Sequence, residues 1–313
     1  MKEDSGGKPL FLLLLGIGFQ QLTASGAYPI AKYGLAQIEP FTFAFFRFLL
    51  ASTVLLTLAK LRGNKTPVDR KDWPRIFLLA VLIIPFNQTL FLVGQSMTAA
   101  GHGAVLFAST PIWVYILAMI FLGEKFMLFR TLGIIMAIVG VCVVMSVGAL
   151  EVGTEYLLGD AIVLVSVLAW ALYTVVAKPL VGKYGALKLT AYALSIGSAL
   201  YFPWGLYRAI QFDYSGVTLG AWLSVVYLAV GLSIVVYVLW FWLLKYMEAT
   251  RVAVYHNIQP IVASVVAYLW LGESLGATFI IGGMIVISGV VISELKVTPR
   301  RKRIAGSESS KAN

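Results

Sequence analysis

The chain has 313 residues, 60% of them hydrophobic and only 12% charged, with a mean hydropathy of +0.89. A soluble domain carries about twice that charged fraction, so the composition excludes a soluble protein and points to an all-α polytopic membrane protein with almost no extramembrane domain. The formal charge of +10 gathers in short loops and in the tail KVTPRRKR, which predicts cytoplasmic loops against a lipid bilayer and no nucleic acid.

In chain order, apolar runs of about 20 residues, each long enough to cross a hydrocarbon core, predict ten spans. They cover 10–31, 40–61, 73–95, 101–122, 128–148, 156–178, 186–208, 218–245, 251–271 and 277–294. The first begins with a basic stretch and has TASGA after its apolar core, as a cleaved leader would. Its counterpart later in the chain predicts instead that it is retained as span one. It carries Gln20, Gln21 and Tyr28, span two carries Arg47, and span three carries Asn87 and Gln88. Polar side chains within a bilayer are expensive, so these are candidate substrate contacts. For Arg47, two readings stand side by side: a guanidinium fork for an anionic group such as a carboxylate, or a structural cation bonded to helix-end carbonyls or snorkelling to the surface.

Span four contains Pro111. Span five holds Cys142, the chain's single cysteine, which reads as a packing residue. Span six offers Trp170 and Tyr173 three residues apart on one helical face, and span eight offers Tyr237 and Trp240; these are aromatic walls for an amphipathic ligand or ordinary helix packing. Span nine holds the most polar stretch, YHNIQP: Tyr255, His256, Asn257, Gln259 and Pro260. On α-helical geometry, His256 and Gln259 share a face while Asn257 lies about 100° round from His256. Pro260 removes the donor that would reach the His256 carbonyl, predicting a kink in a cavity-lining helix. His256 makes proton coupling possible, although no carboxylate lies deep in a span to relay the proton. His102, His256 and one thiol give no metal constellation, and no cofactor is expected. The tail, 295–313, ends in small polar residues and is expected to be disordered.

The basic residues set the orientation. With the N-terminus inside, nearly all loop Lys and Arg fall on one side, which predicts cytoplasmic N- and C-termini and an even number of spans. The chain also repeats itself. At a constant spacing of 149 residues, Pro111 falls on Pro260, Leu122-Gly123-Glu124 on Leu271-Gly272-Glu273, Gly133 on Gly282 and Gly140 on Gly289. Earlier in each half the spacing is 146, which places Ala31-Lys32 on Ala177-Lys178. The halves, 10–148 and 156–294, each contain an odd number of spans and so cross in opposite senses. Inverted repeats of this kind place substrate near the midplane between them and exchange shapes to alternate access.

These marks (the arginine in AFFRFLLA, the proline followed by LGE closing spans four and nine, and the glycine-spaced spans five and ten) resemble the drug/metabolite transporter superfamily, in its ten-span branch with two EamA domains. The resemblance implies ATP-independent export or exchange of small metabolites across a bacterial-type inner membrane. No GxxxxGK[ST] loop occurs in the sequence, and no nucleophile, metal set or carboxylate pair supports an enzyme. Amino acids with apolar or aromatic side chains are the leading substrate class, although no site for their ammonium is obvious. Nucleobases, nucleosides or neutral drugs are the alternative, and a non-transporting sensor or lipid-handling protein is the reading from another class. The expected partners are a small-molecule substrate and the bilayer, with a monomer or homodimer as the assembly. Pro111 and Pro260 read as mechanical elements shared by the halves. The polar residues before Pro260 have mostly apolar counterparts (Leu106, Phe107, Ala108 and Thr110) and read as specific to one wall.

Overall fold

The computed structural model describes residues 10–62, 66–97, 106–145, 156–259, 261–262, 265 and 277–295. Pro260, His102, Glu273 and the tail beyond 295 lie outside the described residues, and of Tyr28 only the backbone is described. Helix occupies the described part of every predicted span and no strand occurs among the described residues, as expected for a chain whose backbone groups must all be satisfied within lipid. Spans one (Leu10–Leu35), two (Pro40–Arg62), six (Leu157–Tyr184) and seven (Ala186–Gln211) are continuous helices. Among the described residues, four helices are long and apolar enough to cross a membrane: Pro40–Arg62, Arg70–Gly94, Leu157–Tyr184 and Leu219–Tyr246.

The packing follows the repeat. Among the described residues, span five (Leu128–Met145) and span ten (Ala277–Ser293) form the most extensive helix–helix contact, and spans two and seven form another large one. Spans three and six pack together, and so do their counterparts, eight and one. The five–ten pair is antiparallel and glycine-lined. A Cβ on Gly140 would lie 2.6 Å from the Val286 nitrogen, and one on Gly289 would lie 2.6 Å from the Gly133 carbonyl oxygen. Small residues let two backbones approach where lipid supplies no hydrophobic drive for association.

Two features depart from regular helix, and both occur once per half. Span three opens into a π-helical stretch, Leu82–Thr89, between Trp73–Val81 and Leu90–Ser96, while span eight does so at Leu228–Val236, between Leu219–Tyr227 and Tyr237–Tyr246. The two stretches match at the 146 spacing, which sets Pro85 on Gly231. A helix breaker at equivalent positions is the sequence cause they share.

The second feature is the break before each repeat proline. In span nine the α-helix Ala249–Val254 tightens to a 3₁₀ turn, Tyr255–Ile258, in place of the regular helix expected there. The Gln259 N–H bonds the His256 carbonyl, so the acceptor that Pro260 leaves is taken by an i→i+3 bond. In span four the equivalent residues bend at Ser109, and the Thr110 hydroxyl donates to the Phe107 carbonyl at 2.5 Å. The halves thus meet one covalent problem with two different donors.

Candidate functional site

Span six presents Trp170, Tyr173, Thr174 and Ala177 on one buried stripe, and span eight presents Tyr237, Trp240, Phe241 and Leu244 on another. Both follow the i, i+3, i+4, i+7 spacing that stacks side chains along a helix. The stripes interlock. Trp170 lies 5.6 Å from Tyr237 and 5.3 Å from Trp240, ring centre to ring centre, and Tyr173 stacks on Phe241 at 5.1 Å. Trp240 Nε1 donates to Thr174 Oγ1 at 3.2 Å, which fixes the indole's edge. From span nine, the 3₁₀ turn delivers His256 edge-on to Trp240 at 5.8 Å and to within 6.5 Å of Trp170.

Span two completes the group. Arg47 is buried, at 8% exposure, and does not snorkel. Its Nε–H donates to Ser233 Oγ at 2.8 Å, its guanidinium lies 5.0 Å from the Phe48 ring centre, and the Tyr237 hydroxyl sits beside it. Four polar atoms in this group, Arg47 Nη2, Trp170 Nε1, Tyr173 Oη and His256 Nδ1, are buried without a hydrogen-bond partner in the protein. A buried donor or acceptor without a partner costs about 1–3 kcal/mol. Four of them around one aromatic cluster mark a place suited to a polar guest.

The other candidate residues divide. Asn87 holds helices together: its Nδ2 donates to the Ser166 carbonyl at 3.0 Å and lies 3.2 Å from Ser166 Oγ, whose hydroxyl bonds back to the Asn87 carbonyl. Gln88 donates to Asn87 Oδ1 at 2.7 Å. Gln20 and Gln21 are buried in span one and bond each other at 2.9 Å, leaving Gln21 Oε1 without a partner. Tyr255 turns toward the Arg251–Glu294 pair at the end of span ten. Asn257 is 1% exposed with neither amide atom bonded. Gln259 is tied to span one through its carbonyl, which accepts from Ser25 Oγ at 3.2 Å. Pro111 is buried in the first turn of the helix Thr110–Leu122, where its missing N–H costs nothing.

The residues that sequence reasoning missed are the partners. Thr174 and Ser233 are small hydroxyls of a kind found throughout membrane helices, and only the packing distinguishes them. Ser233 had one signal: at the 146 spacing it is the counterpart of Asn87.

Comparison with known proteins agrees with this architecture. The sequence profile of the EamA-like transporter family matches residues 10–146 and again 157–295. An uncharacterized transporter of Archaeoglobus fulgidus is 28% identical over 283 residues, covering 90% of this chain and 96% of that protein. The uncharacterized transporter YyaM of Bacillus subtilis is 28% identical over 292 residues, covering 91% and 95%. A protein of Streptantibioticus cattleyicolor named probable terminal-alkyne amino-acid exporter is 27% identical over 281 residues, covering 90% and 93%. A solved crystal structure superposes with a TM-score of 0.77 at 15% identity, over 89% of this chain and 97% of its own; it shows the shared fold.

Proposed function

The chain belongs to the EamA-like transporter family, and from that premise we propose that it exports or exchanges amino acids with apolar or aromatic side chains. It is a membrane transporter and not an enzyme. In this reading it works without ATP, by alternating access, in a bacterial-type inner membrane with both termini in the cytoplasm. The carrying observation is the cluster of Trp170, Tyr173, Tyr237, Trp240 and His256 beside Arg47, whose Nη2 has no protein partner. In this reading a carboxylate bonds the unpaired Nη2 of the guanidinium, and the aromatic faces receive an apolar side chain or, through their negative π faces, an ammonium. On this proposal the ring faces are the candidate ammonium site, which sequence alone does not identify. The Streptantibioticus relative's name supports the same substrate class.

Counterflow in proteoliposomes tests this. Vesicles preloaded with unlabelled phenylalanine or leucine should accumulate the labelled amino acid transiently and saturably, while a panel of nucleobases, nucleosides and neutral drugs should not compete. Competition from that panel with no amino-acid counterflow would sink the proposal.

A further inference from the structure

Glu124 closes the LGE turn after span four. Gly123 takes a left-handed backbone at φ 68°, which favours glycine, and this turn points the next residue back over the bundle end. There the Glu124 carboxylate accepts the Ala249 N–H at 2.8 Å and the Thr250 hydroxyl at 2.5 Å, both at the start of span nine. Arg130, at the start of span five, lies 3.5 Å from the same carboxylate and also pairs with Glu248. Glu124 and Arg130 are almost wholly buried, at 6% and 4% side-chain exposure. Lys178, from span six, donates to the Leu244 carbonyl at 2.9 Å and to the Met247 carbonyl, close enough to Glu124 and Glu248 to feel their charge. Two acids and two bases therefore form a neutral quartet that joins the first half to the second at the basic end of the bundle.

We propose that this quartet is a latch: it holds the basic end of the transporter shut, and its release is the step that opens that end to substrate. The repeat makes the latch one-sided. Glu124 and Lys178 have like counterparts in Glu273 and Lys32, whereas Arg130 and Glu248 stand where the other half has Phe279 and Ala99. The sequence thus repeats half of the quartet at the opposite end, and the extra ion pair biases the carrier toward closure at the basic end. Burial of Arg130 and Glu124 keeps the attraction between those two little screened by salt, while Glu248 reaches the surface. The inference rests on alternating access but not on any substrate, so its test needs none.

The experiment places spin labels at exposed Lys125 and Lys245, through Lys125→Cys and Lys245→Cys in a Cys142→Ser background of the full-length protein in nanodiscs. Inter-label distances are read by pulsed electron resonance without substrate. One dominant short distance is expected in the background protein. Glu124→Gln and Arg130→Met should shift the closed-to-open ratio by roughly 10- to 150-fold, the scale of one lost charge-assisted bond, and populate a longer distance. Should those two variants fail to fold, Glu248→Gln is the milder lesion, because Glu248 is 38% exposed. Distances unchanged from the background in every variant that folds would overturn the latch, whatever the transport assay shows.

Discussion

Arg47 donates its Nε–H to the Ser233 hydroxyl at 2.8 Å, so the cation buried in span two is held by the π-helical stretch of span eight. That bond aims the fork without exhausting it, since Nη2 stays unpaired. Arg47→Lys keeps the charge but loses the planar fork. A charge-assisted bond is worth about 1.5–3 kcal/mol, so KM for a carboxylate-bearing substrate should rise roughly 10- to 150-fold. Competition by the decarboxylated amine should be unaffected. Counterflow kinetics with both compounds measure the difference, and an equal loss for the two would remove the carboxylate from the argument.

Asn257 is buried with its amide unbonded at both ends. Asn257→Leu replaces it with an apolar group of similar size and removes a desolvation cost of about 1–3 kcal/mol. The variant should melt at a higher temperature than the parent in the same detergent while binding substrate more weakly. A thermal-shift titration reads both quantities together. A raised melting temperature with unchanged affinity would place the amide away from the substrate.

Asp213 lies in the loop between spans seven and eight, outside the membrane. The Ser215 backbone N–H at 3.0 Å and the Ser215 hydroxyl hold its carboxyl below the usual carboxylate range. A depressed folded-state value stabilises the protein above the unfolded value of about 3.9, and the contribution is lost as pH falls through the folded value. The contribution is therefore fully present at pH 7, where Asp213→Asn should melt slightly below the parent. Below about pH 4 it should fall more steeply in the parent than in Asp213→Asn. Melting curves from pH 7 down to pH 2.5 test this, and identical slopes would show that the turn carries no linked proton.

A Cβ at position 140 would stand 2.6 Å from the Val286 nitrogen and 2.8 Å from the Gly282 carbonyl oxygen. Backbone atoms cannot swing aside, so Gly140→Ala should cost about 1–3 kcal/mol by forcing spans five and ten apart. Gly18 has nothing within 4 Å of such a Cβ, and Gly18→Ala should be neutral or stabilising by up to about 1 kcal/mol through helix propensity. Unfolding in graded denaturant separates the pair. Equal stability for the two variants would contradict the close approach.

The spans and the repeat were legible because hydropathy and the proline, LGE and glycine spacings act locally along the chain. The aromatic stripes were legible in the same way, since Trp170 with Tyr173 and Tyr237 with Trp240 obey helical spacing, but their spacing did not separate a substrate wall from ordinary packing. Polarity within a span was a weaker guide. It made candidates both of Asn87, which Ser166 satisfies, and of Arg47, which keeps one unpaired nitrogen. Whether a buried amide binds a neighbour or awaits a guest depends on the opposite helix, which no one-dimensional pattern contains. The bonds of Glu124 to Ala249 and Thr250 were hidden for the same reason, because they join residues 125 and 126 positions apart.

The π turn of span eight has one more consequence. It holds one residue more than an α-helix would over the same path, and each residue turns a helix by about 100°. Everything after Val236 is therefore rotated by that angle relative to the segment before it. Deleting a single residue between Leu228 and Val236 would let the stretch relax to ordinary helix with its length almost unchanged, yet Tyr237 and Trp240 would swing away from Trp170. Such a deletion is a change of phase: a carrier that still inserts into the membrane but melts lower, because its buried indole and phenol face the wrong neighbours.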